Sequence, residues 1–164
     1  QVHYQLKLSV EEICAGINRT VESFYFHTVQ PKPGILELLE EMKQRNINMC
    51  IATATDRYQV EAALKRCDMR HFFSEIFTCS QIGNGKDQPR IYHAAMQHLQ
   101  TDKSSTLIVE DACYAIQTAK QAGFTVVGVY DPHEEEMLKV QSLSDIYLPD
   151  YSDLTMLWKF ASAL

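Results

Sequence analysis

No apolar run among the 164 residues approaches the roughly 20 that a helix needs to cross a bilayer. The opening QVHYQLKLSV has neither the basic start nor the apolar middle of a secretory signal. A cytoplasmic location with no membrane partner is the expectation. Basic charge is scarce as well: 15 Lys and Arg stand against 21 Asp and Glu, a formal net charge of −6. That balance argues against a nucleic-acid binder, which would carry a basic stripe. Small or metal-bound partners suit it better. The five cysteines, Cys14, Cys50, Cys67, Cys79 and Cys113, form no CxxC pair and are odd in number. They read as buried thiols in a reducing compartment rather than as a disulfide framework or a zinc site. None of the six histidines, His3, His27, His71, His93, His98 and His133, stands in HExxH spacing. Internal repeats and low-complexity tracts are missing too, and nothing in the sequence speaks to oligomeric state.

What remains is an ordinary core-forming composition, 46% hydrophobic and 22% charged, sufficient for one sizeable core. Residues 10 to 28 place Val10, Ile13, Cys14, Ile17, Val21 and Phe24 on one helical face, with Ser9 and Glu12 spaced as a capping box. The stretch QPKPG, 30 to 34, breaks that pattern with two prolines and a glycine, and a subdomain boundary is expected near Pro31. A helix from Ile35 follows, then a short apolar strand over 48 to 52. Further elements alternate: helix 56–67, strand 75–79, helix 89–99, strand 106–109, helix 112–122, strand 125–129, a helix opened by Asp131 and Pro132, a short strand IYL, and a helix from about Asp153. Strands that read as continuous apolar runs between helices imply an α/β fold, a parallel sheet covered on both faces.

Ligands of open α/β sheets sit outside the carboxyl ends of the strands, and three polar groups are expected there. Thr53 ends the strand in IATATD, beside a helix N-terminus whose free N–H groups and dipole suit an anion such as phosphate. Helix capping by Thr53 and Thr55 is the plainer alternative. Lys86, in the glycine-bearing loop IGNGKDQPR, offers a compact positive charge for phosphate, unless it is merely a solvated surface lysine. Glu110 and Asp111 close the strand in LIVED, on what reads as a central strand. Adjacent carboxylates repel and resist desolvation, and a hard cation such as Mg²⁺ compensates them while leaving room for phosphate oxygens. Capping by Asp111 with Glu110 in solvent is the alternative. A hydroxyl, a lysine and an acid pair in that order at strand ends make up a phosphoryl-transfer set.

With PKPGILELLEEMK, IATATDRYQVEAAL, GKDQPRIYHAA and LIVEDACYAIQTAKQAGFTVVGV in this order, the chain resembles the haloacid dehalogenase superfamily over residues 31 to about 150, in the beta-phosphoglucomutase and phosphoglycolate phosphatase subgroup. The resemblance implies a three-layer Rossmann-like core over 31–164 and a remnant of a helical cap over 1–30, with Pro31 to Gly34 as a hinge. It implies that Thr53, helped by the Ala54 N–H, binds the transferring phosphoryl group, that Lys86 steadies that group and the nucleophile, and that Glu110 and Asp111 hold Mg²⁺ directly or through water. The implied activity is a Mg²⁺-dependent phosphatase or phosphomutase acting on a small phosphorylated metabolite through an aspartyl-phosphate.

Several positions depart from the family's pattern. Arg90 replaces an acid, and Ala112 and Ala115 stand where serine and glycine are usual. No Asp-x-Asp-x-Thr segment, the family's nucleophile strand, occurs in the chain. That strand would lie between the ones ending at Thr53 and Asp111, so a first strand missing from the core and an inactive chain are expected. The segment VHYQLKLSV alternates like a strand but carries no aspartate. A non-catalytic binding or regulatory module on the same fold is the competing reading, and a dehalogenase is a third, disfavoured because that chemistry needs no acid pair for a metal.

Overall fold

The computed structural model describes residues 8–162, so residues 2–7 of the strand-like alternation over 2–10 lie outside the described residues, and its end, Ser9 and Val10, caps and opens a helix instead. The first helix, α1 (Val10–His27), opens as its sequence dictates. Ser9 Oγ accepts the Glu12 N–H at 3.1 Å, and the Ser9 N–H donates back to Glu12 Oε2 at 2.7 Å. Two orphan donors of the first turn are thus satisfied reciprocally. The apolar stripe of α1 stays open to solvent among the described residues: none of its residues is buried, Val10 and Ile17 are 62% and 57% exposed, and Tyr25 packs against Val60, Leu64 and Ile76.

After the linker comes α2 (Ile35–Gln44). Its N-cap, Gly34, has φ of 82°, and a Cβ there would stand 2.9 Å from Tyr151 Cβ. Both the left-handed backbone and the close approach require glycine. The chain then alternates through β1 (Ile51–Thr53), α3 (Arg57–Arg66), β2 (Ile76–Thr78), α4 (Cys79–Ile82), α5 (Arg90–Leu99) and β3 (Leu107–Glu110). It continues through α6 (Cys113–Gln121), β4 (Thr125–Val129), α7 (Met137–Leu143), β5 (Ile146–Leu148) and α8 (Thr155–Ala161). Arg57 staples the start of α3 to β2 by pairing with Glu75 at 2.6 Å and donating to the Ile76 carbonyl.

All strand pairs are parallel, but they form two sheets. In one, β1 pairs β2 with Thr53 opposite Thr78; in the other, the order is β3-β4-β5 with Glu110 opposite Gly128. Among the described residues no strand pairs with the second edge of β1 or of β3. The strand of the acid pair, expected to be central, is therefore the outer strand of its own sheet, and Val109 within it is 48% exposed. Helix α5 underlies both sheets. Its Ile91 and Tyr92 pack with Ile108 and Val126 of the larger sheet, and Ala52 and Phe77 of the smaller one pack against the same cluster. On the opposite face, Leu38 of α2 and Leu157 of α8 close over Val127, Val129, Ile146 and Leu148. Helices thus cover both faces, giving the three-layer α/β architecture expected from the alternating pattern.

Three expectations need correction. Helix α7 begins at Met137, not at Asp131, because Asp131 Oδ1 accepts the His133 N–H at 2.9 Å and Oδ2 takes Lys32 Nζ at 3.1 Å. A local side-chain turn wins over helix there. The cysteines are free, but only Cys113 is buried, and Cys14 is exposed. The strand leading to Thr53 runs Ile51–Thr53 rather than 48 to 52, so Thr53 is its last residue.

Candidate functional site

Glu110 ends β3 with its side chain only 5% exposed, and both of its carboxylate oxygens accept hydrogen bonds. Lys86 Nζ, 14% exposed, donates to Oε1; the Tyr92 hydroxyl reaches the same oxygen at 3.3 Å; the Asp111 N–H donates to Oε2 at 3.1 Å. A buried carboxylate needs such compensation. Lys86 is therefore a partner of the acid pair, not a solvated surface lysine. It is brought there by the turn after α4, which ends on Gly83 in the left-handed conformation, and by the loop at Gly85, over which Asp87 folds so closely that a Cβ would meet Asp87 Oδ1 at 2.6 Å.

Asp111 stands differently. It is half-buried, and its carboxyl is held above the ordinary range by burial first and by the Glu110 charge second, while Lys32 pulls the other way. Among the described residues its carboxylate makes no ion pair within 4 Å, and a buried acid next to another acid is the condition a hard cation relieves. Lys32, from the linker, is occupied with the Tyr130 carbonyl at 2.8 Å and Asp131. Asp111 fits as a carboxylate ligand of Mg²⁺. Glu110 has one oxygen shared by Lys86 and Tyr92, while Oε2 accepts only the Asp111 N–H, which leaves a lone pair on Oε2 for a cation or a bridging water. Among the described residues no group of three or more His, Cys, Asp or Glu is arranged to hold a metal ion.

Thr53 closes β1, across the break between the two sheets. Its Oγ1 accepts the Thr55 N–H at 3.1 Å, and Thr55 Oγ1 hydrogen-bonds the Tyr25 hydroxyl of α1 at 3.2 Å. Neither threonine is the N-cap of α3; that residue is Asp56, and it makes no side-chain cap bond. Ala54 follows in an exposed bend. No hydrogen bond among the described residues joins Thr53 to Lys86, Glu110 or Asp111. What the structure brings together is thus Lys86 with the acid pair; Thr53 and Ala54 occupy the matching strand end of the other sheet, with α5 packed beneath both sheets.

The unusual positions have local compensations. Arg90 Nη1 donates to Asn84 Oδ1 at 3.0 Å, so the loop carrying Lys86 is tied down by a cation where an acid was expected. Ala112, the N-cap of α6, makes no side-chain cap bond, and Glu134 Oε2 accepts the Cys113 N–H at 2.9 Å. Ala115 is completely buried. Tyr92, Lys32 and Glu134 escaped the sequence reading. Tyr92 lies within a segment singled out for other reasons, and the other two reach the site from distant loops that no spacing rule connects. A concavity lined by Gly16, Arg19, Thr20, Ser23, Phe24 and Thr28 follows the open side of α1 and touches none of these groups.

Residues 2–129 match the family of haloacid dehalogenase-like hydrolases, and the chain belongs to that family. It is 26% identical over 119 residues to the phosphorylated carbohydrates phosphatase of Thermotoga maritima, a match covering 73% of this chain and 55% of that protein. It is 27% identical over 146 residues to validoxylamine A 7'-phosphate phosphatase of Streptomyces hygroscopicus subsp. limoneus, covering 89% of this chain and 67% of that one. The structure of CbbY from Rhodobacter sphaeroides in complex with xylulose-(1,5)bisphosphate superposes with a TM-score of 0.76 at 24% identity, over 92% of this chain and 68% of that one. That likeness bears on the fold. The chain spans between about half and two thirds of the length of these curated relatives.

Proposed function

We propose that the carboxyl ends of β1 and β3 form the phosphoryl site of a Mg²⁺-dependent phosphatase, or of a phosphomutase, for a small phosphorylated metabolite. The observation that carries this reading is the Lys86 ammonium held on Glu110 beside Asp111, a half-buried second carboxylate at the same strand end. In it, Thr53 Oγ1 and the Ala54 N–H hold phosphoryl oxygens on one side, Lys86 neutralises them on the other, and Asp111 carries the cation with Glu110 behind it. Mg²⁺, when bound, supplies charge neutralisation for the transferring group. Glu110 has a second task, fixing the Lys86 Nζ so that its remaining donors point to one place, which is electrostatic preorganisation. The names of the relatives support sugar phosphates as the first substrates to test.

Phosphoryl transfer through an aspartyl-phosphate also needs a carboxylate nucleophile. The edges of β1 and β3 that no strand pairs among the described residues support a strand from outside them as its carrier, and the Tyr25–Thr55 hydrogen bond supports residues 10 to 28 as part of a cap beside Thr53. The test is hydrolysis of p-nitrophenyl phosphate by protein translated with the codons upstream of Gln1. Activity that depends on Mg²⁺ and falls about 100-fold or more in Lys86→Ala supports the reading. Full activity in that variant contradicts it.

A second reading, a non-catalytic binding module, is favoured by one observation: both oxygens of Glu110 already accept hydrogen bonds from within the chain. Upstream sequence without Asp-x-Asp-x-Thr supports the module, and its presence supports the enzyme.

A further inference from the structure

Glu110 is fixed by three donors, and two of them have evident roles: Lys86 belongs to the phosphoryl site, and the Asp111 N–H is the next residue's backbone. The third, the Tyr92 hydroxyl, comes from the inner face of α5 and is otherwise surplus to packing. Tyr92 is 1% exposed, in a cluster made of Ile91, Ile108, Cys113, Ile116 and Phe124, with its ring edge-on to Phe124 at 6.2 Å. A phenylalanine would fill that volume without burying a polar oxygen. A buried tyrosine hydroxyl is retained where it has a partner. Here two acceptors are in reach, Glu110 Oε1 at 3.3 Å and the Ala115 carbonyl at 3.5 Å. The nearer one is a carboxylate oxygen, the stronger hydrogen-bond acceptor of the two.

We propose that Tyr92 is a positioning residue for the acid pair. Its hydroxyl locks the Glu110 carboxylate in one orientation, and through it fixes Lys86 and leaves Asp111 as the carboxylate turned toward the cation. The physical reason lies in the side chain of Glu110, whose last torsion is soft. Lys86 alone, a rotatable point donor on a flexible stem, follows a carboxylate that swings. A phenol on a packed ring does not move with it. Groups behind a metal ligand act in this way in general, and their removal typically weakens metal affinity by about 10- to 100-fold. Tyr92 is set to do so because α5 lies beneath both sheets, so the hydroxyl refers the acid pair to the body that also carries β1.

This inference rests on the phosphoryl-site reading for its metal but not for its geometry, and the test separates the two. Mn²⁺ affinity of the full chain is measured by electron paramagnetic resonance for the wild type, Tyr92→Phe, Asp111→Asn and the packing control Ile91→Val, and crystal structures of the wild type and Tyr92→Phe are compared. Expected is a loss of about tenfold in Mn²⁺ affinity for Tyr92→Phe, with Glu110 reoriented, while Ile91→Val loses stability and keeps its affinity. Glu110 unmoved in Tyr92→Phe, or Mn²⁺ affinity equal to that of a metal-binding wild type, overturns the proposal. A wild type that binds no Mn²⁺, with Glu110 still displaced in Tyr92→Phe, removes the metal reading and leaves the positioning role standing.

Discussion

The Lys86 ammonium, carried by the loop ahead of α5, closes on Oε1 of Glu110 at the end of β3. The pair joins residues 24 positions apart in sequence, and both side chains are nearly out of solvent. An exposed ion pair would contribute little. In this one, each charge is tolerable chiefly because the other is present.

Removal of one partner should therefore cost much more than removal of both. Lys86→Ala leaves a buried carboxylate with only neutral donors and is expected to destabilise the fold by about 3–5 kcal/mol. The double variant Lys86→Met/Glu110→Gln should recover most of that loss. Urea denaturation of the single and double variants measures the coupling; a single variant within about 0.5 kcal/mol of wild type would show the pair to be incidental.

Asp111 gives the protein a pH signature. Burial and the neighbouring Glu110 charge raise its carboxyl above the ordinary 3.8. The folded state then binds this proton more tightly than the unfolded state, so the contribution to stability falls as pH rises from the ordinary carboxylate range through the raised value. Asp111→Asn should stabilise the metal-free protein at pH 7 and have no such benefit in acid below that range. Millimolar Mg²⁺ should stabilise the wild type and not the variant, because only a state that binds ligand gains from it. Thermal melts across pH, with and without Mg²⁺, check all three outcomes.

The start of α6 offers a test of local compensation. Glu134 accepts the N–H of Cys113, the first residue of the helix, while the N-cap Ala112 has no side-chain oxygen for the next N–H groups of the turn, and a carboxylate there also meets the positive end of the helix. Glu134→Ala should cost about 1 kcal/mol, and adding Ala112→Ser should restore most of it by supplying a hydroxyl cap. Equal stability of Glu134→Ala and wild type in urea would show that the contact contributes nothing.

Much of this organisation was legible in the residues themselves. The capping box at Ser9 and Glu12 and the glycine at 34 follow from local chemistry, and the apolar runs before Thr53 and before Glu110 placed Thr53 and the acid pair at strand ends. The start of α7 was misplaced because Asp131 reads equally as a helix N-cap and as the head of a side-chain turn, and the Lys32 contact that accompanies the turn comes from 99 positions away. Nor was the exposure of α1, since an amphipathic stripe states that a face is apolar and not that anything covers it. The tie between Arg90 and Asn84 escaped for a related reason: a reversed charge at one position has meaning only once its neighbour is known. The separation into two sheets was not legible: continuous apolar runs between helices imply one parallel sheet, whereas among the described residues β1 and β3 each have an edge that no strand pairs, where the family's first strand was expected to be missing.

The claim that Thr53, Lys86 and Asp111 serve one ligand is tested most directly by a crystal structure of the protein with Mg²⁺ and inorganic phosphate. The expected result is a single phosphate within hydrogen-bond reach of both Thr53 Oγ1 and Lys86 Nζ, with the cation on its Asp111 side. Phosphate bound at only one of these strand ends, or Lys86 still turned away from it toward Glu110 alone, would contradict a shared phosphoryl site.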